Sequence, residues 1–121
     1  MVPQEVLSSC ILKYGDIGNA VWTSVADTVY VAAFIYERHT VNAFFDQTGR
    51  WLKSETKLKS SEVPAAVVNT VTFVYPGRSI SKACYVEKAD EETTYMLTLK
   101  RGRNVEEVEL STLGAVIDNE E

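Results

Sequence analysis

The chain restates itself. Val2-Pro3-Gln4-Glu5-Val6 opens the first half, and Val63-Pro64-Ala65-Ala66-Val67 opens the second about 60 residues later. Tyr14-Gly15 then corresponds to Tyr75-Pro76-Gly77, Tyr30 to Tyr95, and Gly49 to Gly114. A unit that restarts on a proline-led helix and ends in a run of strands reads as a duplicated supersecondary element, and either half alone is too small to bury much core. The expected fold is α+β: a tandem repeat of a helix plus a four-stranded antiparallel meander, with the helices packed on one face of a continuous sheet. Residues 1–121 are expected to form a single domain made of two repeats, 1–60 and 61–121.

Local signals support this division. Ser60-Ser61 offers a capping hydroxyl, Glu62 places negative charge where a helix dipole favours it, and Pro64 sits in the expected first turn, where its missing N–H costs nothing. Val63, Val67, Val71 and Val74 then lay down one apolar stripe, copied in the first half by Val2, Val6, Cys10 and Lys13 with Leu7, Ile11 and Tyr14 alongside. After each helix the period changes to two. Strands are expected at 20–25, 28–37, 40–46 and 50–58, and again at 80–88, 93–100, 104–111 and 115–118, with glycine turns at Gly49, Gly102 and Gly114.

The segments Ala43-Phe44-Phe45-Asp46-Gln47-Thr48-Gly49-Arg50-Trp51-Leu52-Lys53-Ser54-Glu55-Thr56, Ser61-Glu62-Val63-Pro64-Ala65-Ala66-Val67 and Tyr75-Pro76-Gly77, followed by Ile80 and Val86-Glu87, carry a resemblance. Together they resemble a bacterial family of β-lactamase-inhibitor-like or PepSY-like proteins. That resemblance implies the same helix-plus-strands repeat, a periplasmic or secreted location, and no demonstrated enzyme activity. It also implies a manner of working: the secreted β-lactamase inhibitor proteins grip their target with the open face of the sheet, although the pair of disulfides those inhibitors use is absent here.

The residues exclude several classes of function on their own account. A formal charge of −5, with 17 acidic against 12 basic residues, repels a phosphate backbone, and Lys100-Arg101-Gly102-Arg103 is only a short turn, so no nucleic-acid partner is expected. No apolar run reaches the roughly 18 to 20 residues of a membrane span, and the N-terminal residues do not read as a signal peptide. His39 is the only histidine and falls in an expected turn, which leaves no imidazole pair for a metal and no histidine-centred triad. Asp46 with Gly49 lacks the alternating chelators of a calcium loop. Glu106, Glu107 and Glu109 read as the solvated side of a strand, and Glu91-Glu92 fall in an expected turn; neither group is taken as a cation site or an acid–base pair. Cys10 takes the place of Val71 and reads as a small apolar core residue. No catalytic residue, metal ligand or cofactor is assigned, and the chain is not expected to be an enzyme.

Strand parity singles out one feature. In the second half Tyr95, Leu97 and Leu99 alternate with Thr94, Met96 and Thr98, so the first set should face the helices. The matching first-half set is Tyr30, Ala32 and Phe34, and its opposite face should be polar. It reads instead Val29, Val31, Ala33 and Ile35. Phe45 aligns with Leu110, which turns Phe44 outward, and Trp51 is expected outward with Leu52 toward the core. The expected partner-binding set is therefore Val31, Ala33, Ile35, Phe44 and Trp51, with Lys53 and Lys57 at a polar rim. Trp22 fits either face. The occupant expected on this face is a protein partner of unknown identity. The alternatives are a small molecule or peptide in the same place, and a second copy forming a structural homodimer.

Overall fold

Proline sets both helix starts. The computed structural model describes residues 2–117. In it Pro3 and Pro64 are extended (ψ 150° and 152°) and stand immediately before α1 (Gln4–Tyr14) and α2 (Ala65–Val74). Their carbonyls accept the first helical bonds, from the Leu7 and Val68 amides at 3.2 and 3.0 Å. Pro64 thus precedes the helix rather than occupying its first turn. A residue ahead of proline is pushed to extended geometry, and Val63 (ψ 131°) obliges. The capping signals at Ser60-Ser61-Glu62 consequently form a separate short 3₁₀ turn, closed by the Glu62 carboxylate accepting the Lys59 amide at 2.7 Å.

Seven strands follow in chain order within one antiparallel sheet: β1 (Val21–Ala26), β2 (Val29–Tyr36), β3 (His39–Asp46), β4 (Trp51–Leu58), β5 (Ser79–Lys88), β6 (Thr94–Arg101) and β7 (Asn104–Ser111). This corrects the expectation of a tandem helix-plus-four-strand repeat. The last expected strand, 115–118, is not a strand over its described residues, and Asp118 lies outside them. Ser111 bonds back to Ala115 to close a turn, and only an isolated Leu110–Val116 bridge and an Ile117 amide bond to the Glu109 carbonyl (2.8 Å) follow. The β2–β3 hairpin also shifts from the expected turn. Glu37 and Arg38 take positive φ (51° and 71°), as a two-residue hairpin turn requires, which leaves His39 as the first residue of β3.

The chain forms two compact units, one of residues 1–56 and 87–91, the other of residues 57–86 and 92–121. In the first, Val6 and Cys10 of α1 bury against Ala32 and Phe34 of β2 and Val41, Ala43 and Phe45 of β3. In the second, Val67 and Val71 of α2 bury with Val63 against Leu97 and Leu99 of β6 and Val108 and Leu110 of β7. Val74 leaves the expected stripe for solvent, and Tyr75 packs in its stead. Cys10 fills the core as a small apolar group, and burial raises its thiol above its ordinary pKa. No disulfide joins Cys10 to Cys84. Glu109 is a further correction: it is buried, and its carboxylate accepts the Thr94 hydroxyl at 2.6 Å.

The two glycine turns share one hydrogen-bond scheme. The Asp46 carboxylate accepts the Thr48 and Arg50 amides at 2.9 and 3.1 Å, and the Ser111 hydroxyl accepts the Leu113 and Ala115 amides at 3.2 and 3.0 Å. The Gly49 and Gly114 amides each donate at 3.0 Å to the carbonyl three residues back. Asp46 differs in being ionisable. The Thr48 hydroxyl at 2.6 Å, seconded by the two amides and the Arg50 charge, holds its carboxyl below the ordinary carboxylate value. A depressed folded pKa means stabilisation that is complete above the unfolded value of about 4 and lost as pH falls through the lower folded value. Asp46→Ser, which installs the acceptor of the other turn, is therefore expected to be less stable than the parent at pH 7. The gap in urea midpoint should close as pH drops below about 4; a gap independent of pH would mean that the carboxylate charge plays no part.

Candidate interaction face

The first unit's sheet has two faces, and strand pairing assigns each side chain to one of them. Directly opposed residues share a face. Trp22, Ala32, Ala43 and Ser54 form one cross-strand row, and Tyr30, Phe45 and Trp51 another; both lie on the side of α1. The other face carries the rows Thr23–Val31–Phe44–Lys53, Val21–Ala33–Asn42–Glu55 and Ile35–Thr40. Val31, Ala33, Ile35, Phe44 and Lys53 are thereby brought together, as expected.

Their environments differ. Val31, hemmed in by Thr23 and Phe44, is only 7% exposed, whereas Ile35 near the strand end is 66% exposed. Phe44 is half-buried beneath the Lys53 ammonium, which sits 4.6 Å from the ring centroid and pairs with Glu55 at 3.2 Å. The lysine stem and head thus roof the aromatic ring while its charge is balanced laterally. Beside them lies a shallow depression of about 480 Å³, floored by Val29, Phe44 and Leu52 and rimmed by Lys53, Lys88, Asp90 and Glu91. The Ala89 amide donates to the Leu52 carbonyl at 3.0 Å, and Asp90 pairs with Arg50 at 2.7 Å, which holds the rim against β4.

Trp51 is on the other side. The register shifts between Phe44↔Lys53 and Phe45↔Trp51, so Leu52 is the extra residue of a bulge. One inserted residue reverses the alternation. Trp51 consequently joins the helix-side cluster, its indole N–H donating to the Ser54 hydroxyl at 2.8 Å and Lys13 lying 3.9 Å over its ring, while Leu52 turns to the open face. Ser54 in turn meets the Tyr14 hydroxyl. Lys57 is exposed and belongs to the second compact unit. Trp22, ambiguous by sequence, packs on the helix side against Phe45, with ring centroids 6.1 Å apart.

Leu52, Lys88 and Ala89 are the site residues that sequence parity missed. The placement of Leu52 follows from the folded turn, which closes Asp46 against Arg50 through an amide–carbonyl bond of 2.9 Å and sets the next pair, Phe45 and Trp51, on one face. Among the described residues, no group of three or more His, Cys, Asp or Glu side chains converges as a metal site would need, and no helix is long and apolar enough to cross a membrane.

No family model and no curated protein matches the sequence. The likeness lies in three dimensions. A DUF2874 family protein from Bacteroides ovatus superimposes with a TM-score of 0.89 at 19% identity, covering 98% of this chain and 86% of that one. A BLIP-like protein from Bacteroides fragilis gives 0.87 at 20% identity, covering 98% and 85%. A candidate periplasmic protein from Bacteroides eggerthii gives 0.87 at 17%, covering 98% and 87%. At such identities the likeness speaks for fold alone: this chain has the fold of the BLIP-like and DUF2874 proteins, and a PepSY assignment in particular has no support from these neighbours.

Proposed function

We propose that the chain is a non-catalytic protein of the bacterial cell envelope that binds another protein through the open face of its first unit. The observation that carries this reading is the apolar content of the sheet face turned away from α1, where Ile35 is exposed, Val29, Ala33, Phe44 and Leu52 are half-buried and Val31 is buried among them, beside the polar Thr23, Asn42 and Thr40. A solvated sheet face normally alternates to polar residues, and an apolar one of this kind marks a contact surface. One neighbour is described as periplasmic and another as BLIP-like, which is consistent with an envelope location and a protein-binding role. Lys53 and Glu55 at the rim would select the partner and speed encounter, while desolvation of Phe44 and the aliphatic floor would supply affinity. The depression is shallow, which suits a side chain projecting from a protein surface better than an enclosed small molecule.

The double substitution Ile35→Glu with Phe44→Glu tests the assignment. Both side chains reach solvent, so cooperative unfolding should persist with a loss of no more than about 1 kcal/mol. The parent chain should sediment at the same monomer mass across a dilution series. A parent dimer abolished by the double substitution would mean that the face serves the chain itself, and the foreign-partner reading would fall.

A further inference from the structure

β1 is an edge strand with the composition of a central one. It stands at the end of the strand order and, among the described residues, is paired on one side only, yet Val21-Trp22-Thr23-Ser24-Val25-Ala26 contains no charged residue and no proline. Proteins ordinarily protect exposed edges with lysine, proline or a covering segment. β7, at the other end of that order, follows this practice: it carries Glu106, Glu107 and Glu109, and residues 116–117 run beside it through the Leu110–Val116 bridge and the Ile117 amide bond. β2 is equally uncharged, but β1 and β3 flank it on both sides. In β1 the alternate amide and carbonyl groups that do not face β2 point away from the sheet. The strand is also held in place: Trp22 is seated in the helix-side cluster, and a bulge between Ser24 and Ala26 confines the regular stretch to Val21–Ser24.

We infer that β1 is a strand-addition site that takes an extended, uncharged segment of another protein with basic residues at its ends. This edge adjoins the apolar face, since Val21 and Thr23 stand in its cross-strand rows, but the ladder groups of β1 act without it. The extended backbone of the incoming segment matches the ladder groups, and side chains opposite Val21 and Thr23 meet an apolar and a hydroxyl neighbour. The charge preference follows from the flanks, where Asp16 precedes β1 and Asp27 follows it, both exposed. A second copy is disfavoured on the same ground. Antiparallel pairing centred on Trp22 and Thr23 brings Asp16 of one copy and Asp27 of the other to the same end of the ladder, twice over, between chains of net charge −5.

The test uses the whole chain and a synthetic peptide of alternating valine and threonine with lysines at both ends, read by amide hydrogen exchange resolved along β1. The outward amides of Val21–Ser24 should exchange readily in the free chain and slow at least about tenfold with peptide. A peptide of the same centre with glutamates at its ends should bind about tenfold more weakly at low salt, and one with a central proline should not protect β1. The Ile35→Glu, Phe44→Glu chain should still protect β1, which separates this surface from the apolar face. Absence of protection at saturating peptide, equal protection by the acidic peptide, loss of protection in the double variant, or protection that rises with protein concentration alone would each overturn the inference, the last by making the occupant a second copy.

Discussion

Phe45→Ala is expected to destabilise the chain by about 3–5 kcal/mol, the range for removing a fully buried aromatic ring. Phe45 is completely buried on the α1 side of β3, paired with Tyr30 and Trp51 and in contact with the Trp22 ring. The loss has two parts, the transfer energy of the ring and the cavity left when Trp22, Trp51 and α1 cannot close the space. Its neighbour Phe44 provides the control. Phe44→Ala removes a ring that is half-buried on the opposite face under the Lys53 head group, and it should cost no more than about 1 kcal/mol. Urea unfolding of the two variants reads the difference directly. Equal losses would mean that the two faces of β3 are not distinguished as the strand register requires.

Gly49→Ala is expected to cost about 3 kcal/mol or more, and Gly114→Ala a similar amount in the second unit, because two separate penalties coincide at each position. Gly49 has φ +94° and Gly114 φ +92°, where an L side chain is strained whatever its surroundings. There is also no room. A Cβ at Gly49 would lie 2.6 Å from the Glu5 carbonyl oxygen, and one at Gly114 would lie 2.6 Å from the Ala66 carbonyl oxygen. Both obstacles are helix backbone, so neither can swing aside as a side chain would. Each glycine is thus the point at which a hairpin turn approaches the first turn of its unit's helix. Gly102→Ala is the comparison: it has φ +60° but nothing within 4 Å of the added carbon, so only the conformational cost of about 1–2 kcal/mol should appear. Similar thermal midpoints for Gly49→Ala and Gly102→Ala would contradict the close approach of α1 to its turn.

What could be read from the sequence, and what could not, follows from the range of the interactions. Proline-led helices, glycine turns and alternating strands are local, and both helices and the first seven strands emerge near their expected places. The correspondence of Gly49 with Gly114 was legible because a positive φ and a close approach both exclude a side chain. The expected eighth strand failed because alternation in 115–118 does not reveal that Ala115 is committed to closing the Ser111 turn. Trp51 was assigned to the wrong face for a similar reason: a bulge changes the parity of everything beyond it, and nothing in Trp51-Leu52-Lys53 taken alone announces one. Val31, Ala33, Ile35 and Phe44 keep the facing that alternation assigns them because β2 pairs with β3 without a bulge, although Val31 is buried there. Glu109 was read as solvated since a strand glutamate usually is; its burial depends on Thr94, a partner supplied by the neighbouring strand.

If the open face of the first unit meets a foreign protein, as proposed, a cross-linker placed on that face should capture it. The most direct measurement replaces Phe44 by a photo-reactive benzophenone amino acid and irradiates the chain in a bacterial envelope extract, with the same group at the exposed helix position Phe73 as control. One defined adduct is expected from position 44, absent from position 73, and suppressed by excess parent chain but not by the Ile35→Glu, Phe44→Glu chain. Adducts that are equal at the two positions, or an adduct at position 44 consisting of a second copy of the chain, would contradict it.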